Sequence, residues 1–240
     1  TYGYEISLSY NDSFRLAGKP FNFGIKTTLA DYYSVIDRYN NASRKLSDYY
    51  EGQRLGEIWG FVCNGLFQSQ AEIDAAFGGK GYKNDIMQTS EKYITYPGDM
   101  RFEDLNGNDA IDRGSSTVDD PGDREIIGNS QPRYHYGATL ALQWAGIDFS
   151  IFFQGIGRQD WYPAANALAF WGPYARPYAT YLPKNFHTQI WSEENPNSYF
   201  PRPRGYTALQ GTNRELTAVN DRYLQNIGYC RLKNLTVGYT

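Results

Sequence analysis

Cysteine, histidine and methionine are scarce, two of each in 240 residues, and each scarcity removes a class of function. Cys63 and Cys230 stand far apart with no CxxC neighbour, so neither a zinc site nor a redox pair is signalled. They read as two free thiols, with a disulfide between them as the alternative. His135, in a strand pattern, and His187, in a long loop, have no partner in any catalytic motif, and the sequence lacks a GxSxG elbow, an HExxH helix and a P-loop. No run of 18 or more apolar residues could cross a bilayer as a helix, and the residues from Thr1 do not read as a signal peptide. Basic charge is not in excess either: 23 Lys and Arg face 26 Asp and Glu, a net charge of -3. Without a basic stripe, nucleic acid is not expected as a partner. What remains is a soluble protein or a barrel wall, whose strands are individually much less hydrophobic than a membrane helix.

Aromatic residues are plentiful. With 22 Tyr, 13 Phe and 5 Trp they make up 17% of the chain, a bias that suits strands and interfacial belts better than helical cores. Their spacing has a period of two. Tyr4, Ile6, Leu8 and Tyr10 alternate with Glu5, Ser7 and Ser9; after the turn-rich stretch 11–20, Phe21, Phe23, Ile25, Thr27 and Leu29 alternate with Asn22, Gly24, Lys26 and Thr28. The pattern predicts two strands of roughly ten residues. A second hairpin follows. Tyr134, Tyr136, Ala138, Leu140, Leu142 and Trp144 share one side, His135, Gly137, Thr139, Ala141 and Gln143 the other, and beyond a tight turn at Ala145-Gly146 the apolar series continues with Ile147, Phe149, Ile151 and Phe153. Such an oily side meets a second sheet in a soluble sandwich and lipid in an outer-membrane barrel, where the polar side lines a wet lumen. Periodicity alone fits both.

Loop proportions separate the two cases. About a hundred residues join the first hairpin to the second, and a Pro-, Gly- and aromatic-rich stretch follows it. Connections this long are rare in compact domains, whereas short turns at one end and long extracellular loops at the other are expected of an outer-membrane barrel. Within these loops only 69–78 reads as a helix, with Ser69 and Glu72 at capping-box spacing.

Two loop segments carry candidate sites. In the segment 161–186, Trp161, Tyr162, Phe170, Trp171, Tyr174, Tyr178 and Tyr181 offer rings that could stack on sugar faces, grip a peptide or dock a lid protein, or else pack against one another. The stretch "DLNGNDAID" is spaced like an EF-hand calcium loop, in which ligands stand at positions 1, 3, 5, 7, 9 and 12. Asp104 at position 1 puts Asn106, Asn108, Ala110 and Asp112 at 3, 5, 7 and 9, and Ile111 at the usual apolar position 8. Asp109 stands where the motif has Gly, and Ser115 occupies position 12. Residues 99–125 hold nine acids and three arginines, a local charge of -6 that repels itself unless it is solvated or neutralised. Oxygen donors of this kind favour a structural Ca2+ over zinc; the alternative is an Asx-turn loop bonded to its own backbone. A glycosidase would also need two carboxylates, but the acids follow the metal-loop spacing instead.

The series "EGQRLGEIWGFVCNGLFQSQAEID", "PGDMRFEDLNGNDAID", "DREIIGNSQPRYHYGATLALQWAGIDFSIFFQG", "WSEENPNSYFPR" and "YLQNIGYCRLKNLTVGYT" resembles the C-terminal part of SusC/RagA-type TonB-dependent transporters over nearly the whole chain. The resemblance implies an all-β fold, part of a large antiparallel transmembrane β-barrel with long extracellular loops, in the outer membrane. It implies import of oligosaccharides or peptides without covalent chemistry, powered by TonB and capped by a SusD-like surface lipoprotein. Residues 1–240 are expected to be a partial barrel domain, with the plug and the final strands absent, since five or six strands cannot close even a barrel of ~8. Against the family's usual run, 113–122 reads as an insertion, which places Asp123 to supply the carboxylate missing from the calcium loop. The other reading is a secreted β-sandwich, a glycan-binding or adhesin module with a structural calcium loop.

Overall fold

The computed structural model describes residues 1–87, 94–175, 182–204, 209 and 215–240. Its strands are β1 (Tyr2–Leu16), β2 (Lys19–Tyr33), β3 (Glu57–Phe61), β4 (Cys63–Leu66), β5 (Met100–Phe102), β6 (Arg124–Asn129), β7 (Arg133–Trp144), β8 (Ile147–Arg158), β9 (Asp160–Trp161), β10 (Gln225–Asn226) and β11 (Tyr229–Tyr239). Two short helices interrupt them, α1 (Gln70–Gly79) and α2 (Leu168–Trp171). The fold is mostly β.

The long strands form one antiparallel sheet in the order β1-β2-β7-β8-β11. Residues directly opposite in an antiparallel pair share a face, so the register can be followed as rows across the sheet. Tyr10, Ile25, Leu140, Ile151 and Leu235 form one such row, and the next is Asn11, Gly24, Ala141, Ser150 and Thr236. The rows continue to alternate, so the sheet has one mostly oily face, with Asp12 opposite Phe23 as an exception, and one mostly polar face, with Phe152 opposite Thr139. On the polar side the rows also bond laterally, as where Asn22 Nδ2 donates to Gln143 Oε1 at 3.1 Å. Among the described residues no second sheet lies over the oily face: Leu8 is 66% exposed and Val237 68%. A sandwich would bury that face. The sheet is open, with β1 and β11 as its edges.

The two ends of this sheet differ. At one end the hairpins close through Ala17-Gly18 and Ala145-Gly146, every residue at positive φ (51°, 77°, 54° and 86°), as a two-residue turn matched to strand twist requires. Gly146 has a further reason to lack a Cβ, which would stand 2.5 Å from the Thr240 carbonyl. At the other end the chain leaves for the long connections 34–132 and 159–228. The polar cluster Asn11-Asp12-Ser13, expected as part of a turn, is strand in the structure. Its register with Gly24, Phe23 and Asn22 is unbroken, and Asp12 is held by the Tyr10 hydroxyl at 2.8 Å. Tyr134 departs from the expected alternation because its φ is 57°, which turns it out of the series that runs from Tyr136 to Trp144.

The buried core lies in the connections, not under the sheet. Phe200 is its hub, with the rings of Tyr199, Phe186, Tyr174 and Tyr223 at 4.9, 5.4, 5.5 and 5.7 Å. Trp171, fully buried, packs edge-on to Tyr223 at 5.3 Å. Helix α1 begins as its sequence foretells: Ser69 Oγ accepts from Glu72 N at 3.2 Å, and Glu72 reaches back to Gln68 N at 2.9 Å. The one-turn α2 was not expected; no apolar periodicity marks it. Both cysteines are free thiols, and burial pushes the Cys63 thiol up to about 12.

At the end of the sheet from which the connections leave, one ion pair ties two strands together and another reaches into the loop module. Arg133 Nε donates to Asp31 Oδ1 at 2.6 Å across β7 and β2. Asp160 accepts from Arg158 Nε at 3.0 Å and from Asn129 N at 2.9 Å, where β6 approaches β9. Because the core is aromatic and local to the loops, Trp171→Ala is expected to lower loop-module stability by about 3–5 kcal/mol and to leave the sheet formed. Near-ultraviolet circular dichroism on heating reads the first effect, and far-ultraviolet β signal the second.

Candidate functional site

The aromatic segment after β9 was expected to offer rings to a ligand or lid, and the structure places its described rings mostly inside. Trp171 and Tyr174 are 0% and 1% exposed. Trp171 Nε1 donates to the Ala164 carbonyl at 3.0 Å and the Tyr174 hydroxyl to the Pro201 carbonyl at 2.5 Å. The Tyr162 hydroxyl donates to the Leu216 carbonyl at 2.9 Å and accepts from Asn220 Nδ2 at 2.8 Å. Burial pushes the Tyr162 and Tyr174 phenols well above their ordinary value. Phe170 is half-buried, edge-on to Trp171 at 4.8 Å. A chain with little regular secondary structure must build its core from large side chains, and rings supply the most area per residue. Trp161 is the exception at 42% exposed, and it is the described ring of this set best placed for an external contact. Tyr178 and Tyr181 lie outside the described residues.

Exposed rings missed by the sequence reading lie elsewhere in the connections. Tyr39 and Tyr49 meet edge-to-face at 5.5 Å, and Tyr96 is stacked under the Arg204 and Arg202 guanidinium groups at 5.0 and 5.2 Å. Arg204 is itself held by Asp99 through its Nε at 2.8 Å. No sequence signal marks these rings, because neither strand nor helix periodicity governs the segments that carry them.

The oxygen-rich loop is folded around its own backbone. Asp104 Oδ1 accepts from Gly107 N at 2.6 Å and its Oδ2 from Asp109 N at 2.9 Å. Asn106 and Asn108 accept from the amides two residues on, at 3.0 and 2.9 Å. Asp112 Oδ1 accepts from Gly114 N at 2.6 Å, while its Oδ2 takes the Asn108 side-chain amide at 2.7 Å. Asp123, fully buried, accepts from Leu105 N and Asp112 N, both at 2.8 Å. Asp109 adopts φ 62°, the left-handed turn for which the EF-hand motif keeps a Gly, and its carboxylate is paired with Lys80. Within the stretch 113–122, Asp120 accepts from Ser115 N at 2.7 Å, and Arg124 Nη2 donates to the Arg113 carbonyl at 3.0 Å.

The fit to calcium can be judged from these bonds. Among the described residues no three acidic, His or Cys side chains converge as a metal-capable group, so Asp104, Asp112 and Asp123 do not form one. Ala110, whose carbonyl would be the position-7 ligand, stands in the same Asx run. The oxygens meant for a cation are committed to N–H donors, which is the Asx-turn arrangement. As folded, the loop does not fit the ion, and the carboxylates are stabilised by amide donors instead.

On the polar side of the sheet, near the tight turns, a cavity of about 730 Å³ is lined by Asn11, Asn22, Gln143, Asp148 and Ser150 among others. His135 belongs to this side and stacks on Tyr32, ring centroids 5.9 Å apart and 2° from parallel.

Asp123 generates two predictions. Asp123→Ala removes the half-buried bonds to the Leu105 and Asp112 amides and is expected to cost about 1–2 kcal/mol, read as a lower unfolding midpoint for the loop module, with calcium giving equal heats for native protein and for Asp104→Ala. Burial holds the Asp123 carboxyl above the ordinary carboxylate value despite its amide donors. The folded state therefore takes up that proton first. As pH falls through this raised value the Asp123 contribution to stability is expected to rise, and the difference between native protein and Asp123→Asn should shrink on acidification.

No protein-family model matches the chain. Over 190 residues, 79% of its length, the chain is 28% identical to the TonB-dependent receptor P3 of Formosa agariphila. The match accounts for 15% of that protein, so the chain spans a small part of the length of the curated relative it matches. The similarity relates this open, mostly β sheet and its long connections to a TonB-dependent receptor.

Proposed function

We propose that the chain is a stretch of barrel wall with its extracellular loops in an outer-membrane, TonB-dependent importer of the SusC/RagA type. One observation carries the reading: five adjacent strands present a predominantly apolar face, interrupted by Asp12 opposite Phe23, that no second sheet covers among the described residues. From Tyr2 to Phe14 that face extends about 40 Å at ~3.4 Å per residue. Tilted by ~40° it would stand about 30 Å tall, enough for an apolar band of ~25 Å with aromatic girdles. Tyr2, Tyr4, Tyr33 and Tyr136 lie toward the long-loop end, and Phe14, Phe21, Trp144 and Tyr239 toward the tight turns, a distribution that suits two membrane interfaces. The short turns then face the periplasm and the loop module faces outward. The similarity to a TonB-dependent receptor supports the same assignment.

On this reading the protein binds and passes oligosaccharides or peptides and performs no covalent chemistry. TonB engages a part of the protein outside this chain, and a SusD-like lipoprotein closes over the loop module. Trp161 is the described ring offered to that lid or to substrate.

Leu140 sits mid-strand between Ile25 and Ile151. Leu140→Arg should cost on the order of 2–4 kcal/mol if the residue lies near the bilayer midplane, whereas Thr139→Arg, on the polar face, should cost little. Outer-membrane yield and resistance to heat-modified gel migration measure both. Recovery of the native protein outside the membrane fraction, or equal tolerance of the two substitutions, would overturn the reading.

A further inference from the structure

A cleft of about 580 Å³ opens between α1 and β5, lined among others by Asn64, Phe77, Tyr82, Arg101 and Glu103. Its floor is aromatic and fixed. Phe77 lies nearly parallel to Tyr82, 5.4 Å away at 20°, and Tyr82 is itself wedged by Phe67 at 4.8 Å. The Tyr82 hydroxyl accepts from Phe102 N at 2.9 Å. Phe77 is held at φ 52°, ψ 45°, a left-handed conformation that a bulky side chain adopts only where its surroundings impose it. Here Gly81 N donates to the Ala76 carbonyl and Tyr82 N to the Ile73 carbonyl, both at 3.1 Å, closing the turn that presents the ring. Strained backbone at a cleft points to function more than to stability.

The rim is polar and uncommitted. Arg101 and Glu103 flank the buried Phe102, so their side chains leave the core together, and both are half-buried. Among the described residues, the side chains of Asn64, Arg101 and Glu103 make no hydrogen bond or ion pair. Glu72, also at the rim, is already engaged by Gln68 N. A ring floor edged by free donors and acceptors matches a sugar, which has an apolar C–H face and a girdle of hydroxyls.

We propose that this cleft binds a neutral pyranose unit of an oligosaccharide; the inference rests on the importer reading and names its substrate class as saccharide. A peptide is disfavoured because main-chain donors are taken. Met100 N is bonded by Glu215, Phe102 N by Tyr82 and Glu103 N by the Val62 carbonyl, which leaves no strand edge to augment. An acidic sugar is disfavoured because Glu72, Glu103 and Asp104 outnumber Arg101 at the rim.

Titration calorimetry on protein extracted in detergent from outer membranes tests this with maltohexaose, cellohexaose, xylohexaose, a galacturonate hexamer and hexa-alanine. At least one neutral hexasaccharide should bind, and Phe77→Ala and Arg101→Gln should each weaken it tenfold or more. Arg101 makes no side-chain hydrogen bond or ion pair among the described residues, so the loop-module unfolding midpoint of Arg101→Gln should be unchanged. Binding of no neutral saccharide, binding only of the galacturonate or the peptide, or equal affinity in Arg101→Gln and native protein would overturn the proposal. Membrane fractionation reads the importer assignment separately: should the protein lie outside the outer membrane, the same titrations are run on protein purified from the fraction that holds it, so the binding result does not depend on that outcome.

Discussion

The constraint from which the rest follows is the alternation of five long strands whose pairing keeps like faces together, even across the bulge between Leu232 and Asn234. Because the side-chain period in a strand is two, every pairing that keeps Ile25 opposite Leu140 also keeps Gly24 opposite Ala141, and a slip of one residue would invert both faces. The sheet therefore cannot bury part of its oily surface and expose the rest. All of it faces one way, and each large apolar side chain left in water forgoes about 1.5–3 kcal/mol of burial. No described segment of the chain supplies that burial. On the proposed reading a bilayer supplies that burial across a whole face at once.

A sheet whose oily side is committed outward cannot serve as the floor of a conventional core, so the long connections need a core of their own. They assemble one around Phe200 from rings spread between Tyr162 and Tyr223. The junction between the two parts is correspondingly polar. Asp160 is nearly buried yet accepts from both Arg158 and Asn129, and a Cβ on Gly128 would stand 2.8 Å from its carboxylate. Arg158 itself is half exposed, so it is the loss of the arginine that matters, leaving the nearly buried Asp160 carboxylate without its charge partner, although the junction buries little apolar surface.

How much of this was legible in the sequence depended on whether a period existed to be read. The strands Phe21 to Leu29 and Tyr136 to Trp144 and the Ala145-Gly146 turn follow from alternation and turn chemistry, whereas the pairing of these two strands with each other does not. The start of α1 is legible too, where Ser69 and Glu72 carry a local signal. Asn11-Asp12-Ser13 misled because turn-forming composition was weighed over the partner strand, which supplies the ladder whatever the side chains are. The loop core was illegible for a deeper reason. Burial of Trp171 or Tyr174 is decided by contacts with residues 25 or more positions away, such as Phe200 and Pro201, and no local pattern encodes them. An aromatic-rich loop therefore read as a binding surface where most of its described rings are scaffold.

The oxygen-rich loop makes the same point in charge instead of ring area. Its acids suggested an external cation because a net charge of -6 within 27 residues needs neutralisation. The fold spreads that need over many small partners: the amides of Gly107, Asp109 and Gly114, the Lys80 ammonium, and the Leu105 and Asp112 amides on Asp123. Amide donors are fixed by backbone geometry, so a loop neutralised by them is pre-organised without a cofactor. Both loop devices, packed rings and bonded carboxylates, lower the entropy of the connections before any ligand arrives. Affinity then has less ordering to offset, and selectivity falls to the few side chains, such as Trp161, Arg101 and Glu103, that the scaffold leaves uncommitted.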